Sequence, residues 1–310
     1  MKSIVTFWFA GLAAIATTCV DGAENFQVEE ATVSSIQQAL RDKSLTCHAL
    51  VQAYLNRIAA YDHKGPSLDA ILALNPNALT EADRRDADYA RSGPVGPLHC
   101  IPLVLKDNYN SADLPTTGGS AALAGAQPKT DAFTVARLRN AGAIILGKSN
   151  MHEFALSGTT ASSLGGQTLN PYDLSRTPGG SSGGTGAAVA ANLAMAGTGS
   201  DTVNSIRSPA SANALVGIRP TRGLLSRSGI CRYPKPRTLP GQSPAPSPTP
   251  PGCWKSWPDT IPMIHRLHGA SGIRPRATPR FWNRGVCSAR GLASSKPWWE
   301  TGRSIRRSTL

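Results

Sequence analysis

The feature that most limits how this chain can fold is an abrupt change of composition after Ile230. Residues 231–310 hold 13 of the 24 prolines and 5 of the 6 tryptophans. Because proline lacks an N–H donor and fixes φ, the stretch LPGQSPAPSPTPPG cannot form a core helix or strand. No later run has a helical or strand period. We therefore expect one domain over residues 23–230, followed by a tail, 231–310, that is disordered or translated out of frame.

The formal net charge of +13 is concentrated in that tail. Residues 231–310 carry 14 basic and 2 acidic side chains, whereas residues 1–230 carry 18 and 17. The main domain is therefore close to neutral, and its charge gives no reason to predict a nucleic-acid partner. A lesser alternative is that the tail is a basic module for nucleic acid or an acidic surface, because one tryptophan lies among four arginines: Arg274, Arg276, Arg280, Trp282 and Arg284.

The N-terminus resembles a secretory signal peptide. Residues 4–18, IVTFWFAGLAAIATT, form an apolar run behind Lys2 and contain small residues near their end. The run is shorter than the roughly 20 residues that a membrane span needs. We expect residues 1–22 to be a signal peptide and the protein to be secreted or periplasmic, without a membrane segment beyond it. The alternative is a buried N-terminal helix.

The six cysteines do not form a metal-binding pattern. There is no CxxC pair and no Cys/His pair at zinc-finger spacing, so no metal is expected. Cys47 and Cys100 would be able to pair in an exported protein, but spacing alone does not show that they are close. We expect two unpaired buried thiols.

Helical and strand patterns alternate along residues 33–196, which predicts an α/β fold. The predicted helices are 33–42, 47–62, 79–91, 131–142, 151–156 and 185–196, and the predicted strands are 70–74, 101–105 and 143–147. Thr46 is the predicted N-cap of the second helix, and Gly65 lies just past its end. The last helix is rich in alanine, which favours a buried position.

Two serines and one lysine form a candidate catalytic set. Lys106 follows the apolar strand 101–105, Ser181 lies in the loop TPGGSSGG, and Ser205 lies in a second loop of small residues. A serine nucleophile needs a proton acceptor. Lysine can serve only when it is neutral, which requires lowering its pKa by about 3 units, and burial beside an apolar strand can do this. Considered without its context, each feature is more often a surface lysine or a flexible linker.

Two other known motifs partly match the glycine-rich loop, but the residues around them do not fit. Gly180, Ser182 and Gly184 fit the G-x-S-x-G elbow of α/β-hydrolases, but that elbow follows a buried strand, and here NPYDLSRTP precedes it. A P-loop needs Lys followed by Ser or Thr after the last glycine, and this loop ends Gly-Thr-Gly. Neither motif is retained.

Over residues 33–230 the chain resembles the amidase signature family. The resemblance rests on four segments in order: GPLHCIPLVLKDN, AGAIILGKSNMHEFA, NPYDLSRTPGGSSGG and GSDTVNSIRSPASANALVGIRPTRG. It implies a mixed β-sheet surrounded by helices, a Ser-Ser-Lys triad with one serine beside a cis peptide bond, and hydrolysis of an amide bond through an acyl-serine. It implies no cofactor and a small-molecule amide as substrate.

The resemblance also assigns roles to residues of this chain. Lys106 would be the base, Ser181 the serine that passes the proton, and Ser205 the nucleophile. Backbone N–H groups of the loop before Ser205 would bind the oxyanion, and four residues would support the site. The loop residues are Thr202, Val203 and Asn204; the supporting residues are Gly180, Ser182, Asp201 and Arg207.

The chain departs from the family pattern in three places. Val203-Asn204 replaces two glycines that are frequent there, and Cys100 replaces a frequent glycine. The resemblance ends near Ile230, whereas family members continue with further strands and much of the acyl pocket. Two functions therefore stay open: an exported amidase, or an inactive truncated amidase fragment. The sequence does not indicate the oligomeric state.

Overall fold

The structure, a computed structural model, describes residues 26–221, 223–231 and, for the backbone, 263–265. The predicted signal peptide, 1–22, lies outside these residues. So does most of the predicted tail, including the arginine-rich residues 274–284. None of the described helices is both long enough and apolar enough to cross a membrane.

The described residues form a mixed sheet with helices packed on it, as predicted. The helices are α1 (Val33–Arg41), α2 (Cys47–Tyr61), α3 (Ala78–Ser92), α4 (Phe133–Asn140), α5 (Gly183–Ala190) and α6 (Arg207–Ala212), with 3-10 turns at Ala121–Leu123 and Glu153–Ala155. The strands are β1 (Ile71–Leu74), β2 (Pro102–Lys106), β3 (Ile144–Ser149), β4 (Ala161–Ser162), β5 (Gly166–Gln167), β6 (Ala196–Thr198), β7 (Val216–Gly217) and β8 (Met263–His265).

The main sheet has the strand order β1-β3-β2-β6-β8-β7. Strands β3, β2 and β6 run parallel, and the other pairings are antiparallel. Every residue of β2 and β3 is buried, as expected for parallel strands that are covered on both faces. Lys106 is the last residue of β2 and pairs with Ser149 at the end of β3. The lysine is therefore held at the carboxyl edge of the buried strands.

Local sequence signals account for several helix boundaries. The Thr46 side chain accepts a hydrogen bond from the N–H of Ala49 and caps α2, as predicted. Thr32 and Ser35 form a reciprocal capping box at the start of α1. Helix α5 is buried along its whole length against β2, β3 and β6, because its glycines lack a side chain and its alanines carry only a methyl group, which allows close approach.

Several secondary-structure predictions were wrong. The helix predicted over 151–156 is reduced to the 3-10 turn Glu153–Ala155, with a positive φ at Phe154. The helix predicted over 185–196 ends at Ala190, and residues Ala196–Thr198 form β6 instead, hydrogen-bonded to β2. No strand was predicted after Ile230, yet β8 pairs with both β6 and β7. All the missed strands have only 2 or 3 residues: β4, β5, β6, β7 and β8. Such short segments carry too little periodicity to be recognised, and pairing with neighbouring strands defines them.

The prediction of two unpaired thiols was also wrong. A disulfide joins Cys47 and Cys100, with 5.3 Å between their Cα atoms. Both cysteines are fully buried, and the Nε2 atom of His99 lies 3.8 Å from the Cys47 sulfur. The bond links the first turn of α2 to the residue that precedes Ile101 and β2. This proximity depends on tertiary packing, which sequence spacing does not encode.

Candidate active site

The structure brings Lys106 and Ser181 into direct contact. The Lys106 Nζ atom lies 2.7 Å from the Ser181 Oγ atom, and both side chains are fully buried. The backbone N–H of Lys106 donates to Thr198 Oγ1 at 2.9 Å, which ties β2 to the neighbouring strand β6. The lysine is thus fixed through both its backbone and its side chain.

Burial changes the protonation of Lys106. Desolvation of the charged form lowers its pKa to about 7, while the negative charge of Asp201 acts in the opposite direction. No carboxylate in the described part of the chain forms an ion pair with its Nζ atom. A substantial fraction of this lysine is therefore neutral near pH 7 and able to accept a proton.

The glycine-rich loop places Ser181 by close backbone packing. Gly179 has φ +74°, and a Cβ atom on Gly180 would lie 2.8 Å from the carbonyl carbon of Gly158. The peptide bond between Gly180 and Ser181 is cis. The Thr160 hydroxyl donates to the Gly179 carbonyl at 2.7 Å and accepts from the Gly183 N–H at 3.0 Å. The loop therefore has a fixed path and is not a free linker.

Ser205 lies beside this loop. Its carbonyl accepts a hydrogen bond from the N–H of Ser182 at 3.3 Å, and its residue surface is 8 % exposed. Within the described residues, no hydrogen bond joins the Ser205 hydroxyl to Ser181 or Lys106. The structure thus brings the two serine loops together, and the role of Ser205 as nucleophile stays a prediction.

The loop before Ser205 has backbone donors that are not in use. Among the described residues, none accepts a hydrogen bond from the N–H groups of Thr202, Val203 or Asn204. Val203 is 75 % exposed, and neither it nor Asn204 has a positive φ. Their backbone conformations therefore do not require glycine, and these side chains are compatible with a loop that presents its N–H groups to a substrate.

The side chains of Asp201 and Arg207, on either side of this loop in the sequence, contact each other. The Asp201 carboxylate accepts from the N–H of Ile206 at 3.1 Å and lies 3.4 Å from the Arg207 Nε atom. Arg219 approaches the same carboxylate at 3.3 Å. The guanidinium of Arg207 also donates to the carbonyl of Val203. These contacts tie both side chains to the loop backbone, and the role of Asp201 and Arg207 as supporting residues stays a prediction.

Sequence reasoning did not identify Ser200 and Asn108. The Ser200 Oγ atom lies 2.9 Å from Lys106 Nζ, and the Asn108 Nδ2 atom donates to the same Oγ at 3.0 Å. The signal was present in the motif GSDT, which begins with the residue before Ser200. It was missed because no strand was predicted at β6, whose end places Ser200 beside the end of β2.

The family model described as "Amidase" matches residues 49–241, which is more than half of the chain. The chain belongs to the amidase family. Among curated members of this family, it is 43% identical over 203 residues to a glutamyl-tRNA(Gln) amidotransferase subunit from Acidothermus cellulolyticus. That match covers 65% of this chain and 40% of the relative.

Solved structures of amidase-family enzymes have the same fold. The native peptide amidase from Stenotrophomonas maltophilia matches with TM-score 0.63 and 49% identity, over 65% of this chain and 42% of that one. A fatty acid amide hydrolase matches with TM-score 0.62 and 28% identity, over 66% of this chain and 36% of that one. The chain thus spans about two fifths of the length of the relatives it matches.

Proposed function

We propose that this protein hydrolyses a carbon–nitrogen amide bond of a small molecule through an acyl-serine intermediate, with Ser205, Ser181 and Lys106 as the triad. The observation that carries the proposal is the contact of 2.7 Å between a buried lysine amine and a serine hydroxyl. Membership of the amidase family supports the same reaction. The residues in this arrangement supply the nucleophile, the base and the oxyanion donors themselves.

The first half-reaction forms the acyl-enzyme. Neutral Lys106 accepts the proton of the Ser181 hydroxyl, and Ser181 accepts the proton of Ser205 as the Ser205 Oγ atom attacks the amide carbon. The carbonyl oxygen becomes an oxyanion, which the N–H groups of residues 202–204 bind. The protonated lysine then returns the proton through Ser181 to the leaving nitrogen, and the C–N bond breaks.

The second half-reaction releases the acid. A water molecule replaces the amine, and the same lysine and serine accept its proton as it attacks the ester carbon. The ester bond to Ser205 breaks, and Ser205 recovers its proton. The overall change is one amide and one water converted to one carboxylic acid and one amine.

A peptide amide is the substrate class that we propose first. The support is the 49% identity to the peptide amidase of Stenotrophomonas maltophilia, which is higher than the 43% identity to the amidotransferase relative. The second candidate is the glutamine-hydrolysing component of an amidotransferase, and the curated relatives support it. The proposed export of the protein favours the first candidate.

Incubation of the full chain with a fluorophosphonate tests the proposal, because this probe reacts with activated serines. We expect mass spectrometry to locate one adduct on Ser205, and we expect Ser205→Ala to abolish it. Ser111→Ala removes a hydroxyl of a buried serine that contacts Asp113 outside the site, and it should retain the adduct. A folded chain without an adduct would favour the inactive-fragment alternative.

Ammonia release then separates the substrate candidates. An N-blocked dipeptide amide and free glutamine are supplied in parallel to the wild-type chain and to Ser205→Ala. Release from the dipeptide amide alone supports the peptide amidase function. Release from glutamine alone supports the amidotransferase candidate.

A further inference from the structure

Ser200 places two hydrogen-bond acceptors beside the amine of Lys106. Its Oγ atom lies 2.9 Å from Lys106 Nζ, and its carbonyl oxygen lies 3.4 Å from the same nitrogen. With Ser181 Oγ at 2.7 Å, the nitrogen has three oxygen neighbours from two residues. Ser200 thus provides most of the hydrogen-bonding environment of the proposed base.

We propose that Ser200 is a positioning residue that holds Lys106 and stabilises its ammonium form while the proton from Ser181 is on the lysine. An ammonium has three N–H donors and no acceptor. The three neighbouring oxygens match these donors one to one, with two supplied by Ser200. The inference deepens the proposed function and rests on it, because it concerns the same proton transfer.

Asn108 fixes the Ser200 hydroxyl in this position. Its Nδ2 atom donates to Ser200 Oγ at 3.0 Å and to the carbonyl of Cys231 at 3.3 Å. A carbonyl can only accept, so the amide nitrogen must point this way. The backbone N–H of Cys231 donates to the backbone carbonyl of Asn108 at 2.7 Å, which anchors the residue further. Ser200 Oγ therefore has a fixed place between an amide donor and the lysine.

The charged groups near Lys106 do not replace this contribution. Asp201 follows Ser200 and acts on Lys106 through its negative charge, but its carboxylate is paired with Arg207 and Arg219. Asp107 follows Lys106 in the chain, and its carboxylate is paired with Lys148 at 3.2 Å. Direct hydrogen bonds to the Lys106 amine come from serine oxygens, so the loss of one of them should be measurable.

The test measures the protonation of Lys106 in the full chain without requiring turnover. Lysine is labelled with ¹³C at Cε, its NMR shifts are followed from pH 5 to pH 11, and Lys106→Arg assigns the Lys106 signal. We expect Ser200→Ala to lower the midpoint of Lys106 by about one pH unit, since a hydrogen bond to a charged group is lost. Ser200→Thr, which retains the hydroxyl, should restore the wild-type midpoint.

Two controls show whether the effect is local. Ser111→Ala deletes the same atom from a serine outside the site, which is more deeply buried than Ser200, and should leave the Lys106 midpoint unchanged. The Lys148 signal of Ser200→Ala should also stay at its wild-type position. An unchanged or raised Lys106 midpoint in Ser200→Ala would overturn the inference, and so would a shift of equal size at Lys148.

The titration and the fluorophosphonate experiment fail independently. If the adduct forms on Ser205 but the Lys106 midpoint does not move in Ser200→Ala, only the role of Ser200 is refuted. If the midpoint moves and is restored by Ser200→Thr while no adduct forms, the proposed hydrolysis is refuted and the placement of Lys106 by Ser200 stands.

Discussion

Two fully buried lysines on adjacent strands have different surroundings. Lys106 ends β2 and contacts two serine hydroxyls, whereas Lys148 lies in β3 and contacts the carbonyls of Tyr109 and Pro115. The Nζ atom of Lys148 also lies 2.8 Å from Thr116 Oγ1 and 3.2 Å from the carboxylate of Asp107. The Thr116 hydroxyl itself donates to the Tyr109 carbonyl, so all four partners of Lys148 act as acceptors.

This difference shows that burial alone does not make a lysine a base. Burial lowers the pKa of both lysines, and a carboxylate acts against this in each case, but only Asp107 forms an ion pair with its lysine, Lys148. A nitrogen surrounded only by acceptors has no donor for a lone pair, so these surroundings favour the ammonium form of Lys148. The hydroxyl partners of Lys106 can donate or accept, which suits a group that gains and loses a proton.

The largest effect is expected from Lys106→Met. It replaces the amine by an apolar side chain of similar length and removes the proton acceptor of Ser181. We expect the rate of fluorophosphonate labelling to fall by about 10²- to 10⁴-fold, the usual contribution of a general base. Urea unfolding should show little loss of stability. A variant that is labelled at the wild-type rate would contradict the role of Lys106.

Lys148→Met should have its effect on stability. It leaves the buried carboxylate of Asp107 without its cation, and such a loss costs about 3–5 kcal/mol. Urea unfolding of the purified variant measures this. The double variant Asp107→Asn/Lys148→Met removes both charges and should recover part of the loss. If Lys148→Met is as stable as the wild type, the assignment of Lys148 as a structural ammonium is wrong.

The sequence predicted the surroundings of a lysine only where they depend on residues close to it in the chain. The apolar run 101–105 predicted the strand before Lys106, and the glycine-rich motif identified Ser181, because both signals are local. Lys148 was not singled out, since its partners come from a loop that follows a different strand. Ser200 was missed with β6, and the Cys47–Cys100 bond was missed because tertiary packing alone brings these residues together.

Removal of the disulfide separates the stability of β2 from the chemistry at its end. The bond between Cys47 and Cys100 closes a loop with a sequence separation of 53 residues. Chain-entropy arguments assign such a loop about 4 kcal/mol, and measured values are typically about 2–4 kcal/mol. We expect Cys47→Ala/Cys100→Ala to lose this amount in urea unfolding and to keep the wild-type midpoint of Lys106. Free thiols located at both Cys47 and Cys100 by alkylation and mass spectrometry of the unfolded, unreduced wild type would contradict the bond.

The pH dependence provides the finest comparison of the two lysines. Burial lowers the pKa of Lys106 to about 7, and only the deprotonated amine accepts the proton of Ser181. The labelling rate of Ser205 should therefore fall tenfold for each pH unit below 7 and level off above it, because each unit changes the neutral fraction by that factor. Asp201→Asn removes a negative charge that favours the ammonium form of Lys106. The limb of the profile on which the rate falls with decreasing pH should therefore move to lower pH.

In Lys148→Met the position of that limb should be unchanged, since Lys148 takes no part in the proton transfer. Stopped-flow or discontinuous labelling between pH 5 and pH 9 measures all three profiles. A rate that decreases from pH 6 to pH 8, or a limb centred near the ordinary lysine pKa of about 10.4, would show that Lys106 does not act as the neutral base. A limb that moves in Lys148→Met would show instead that the two buried amines titrate together.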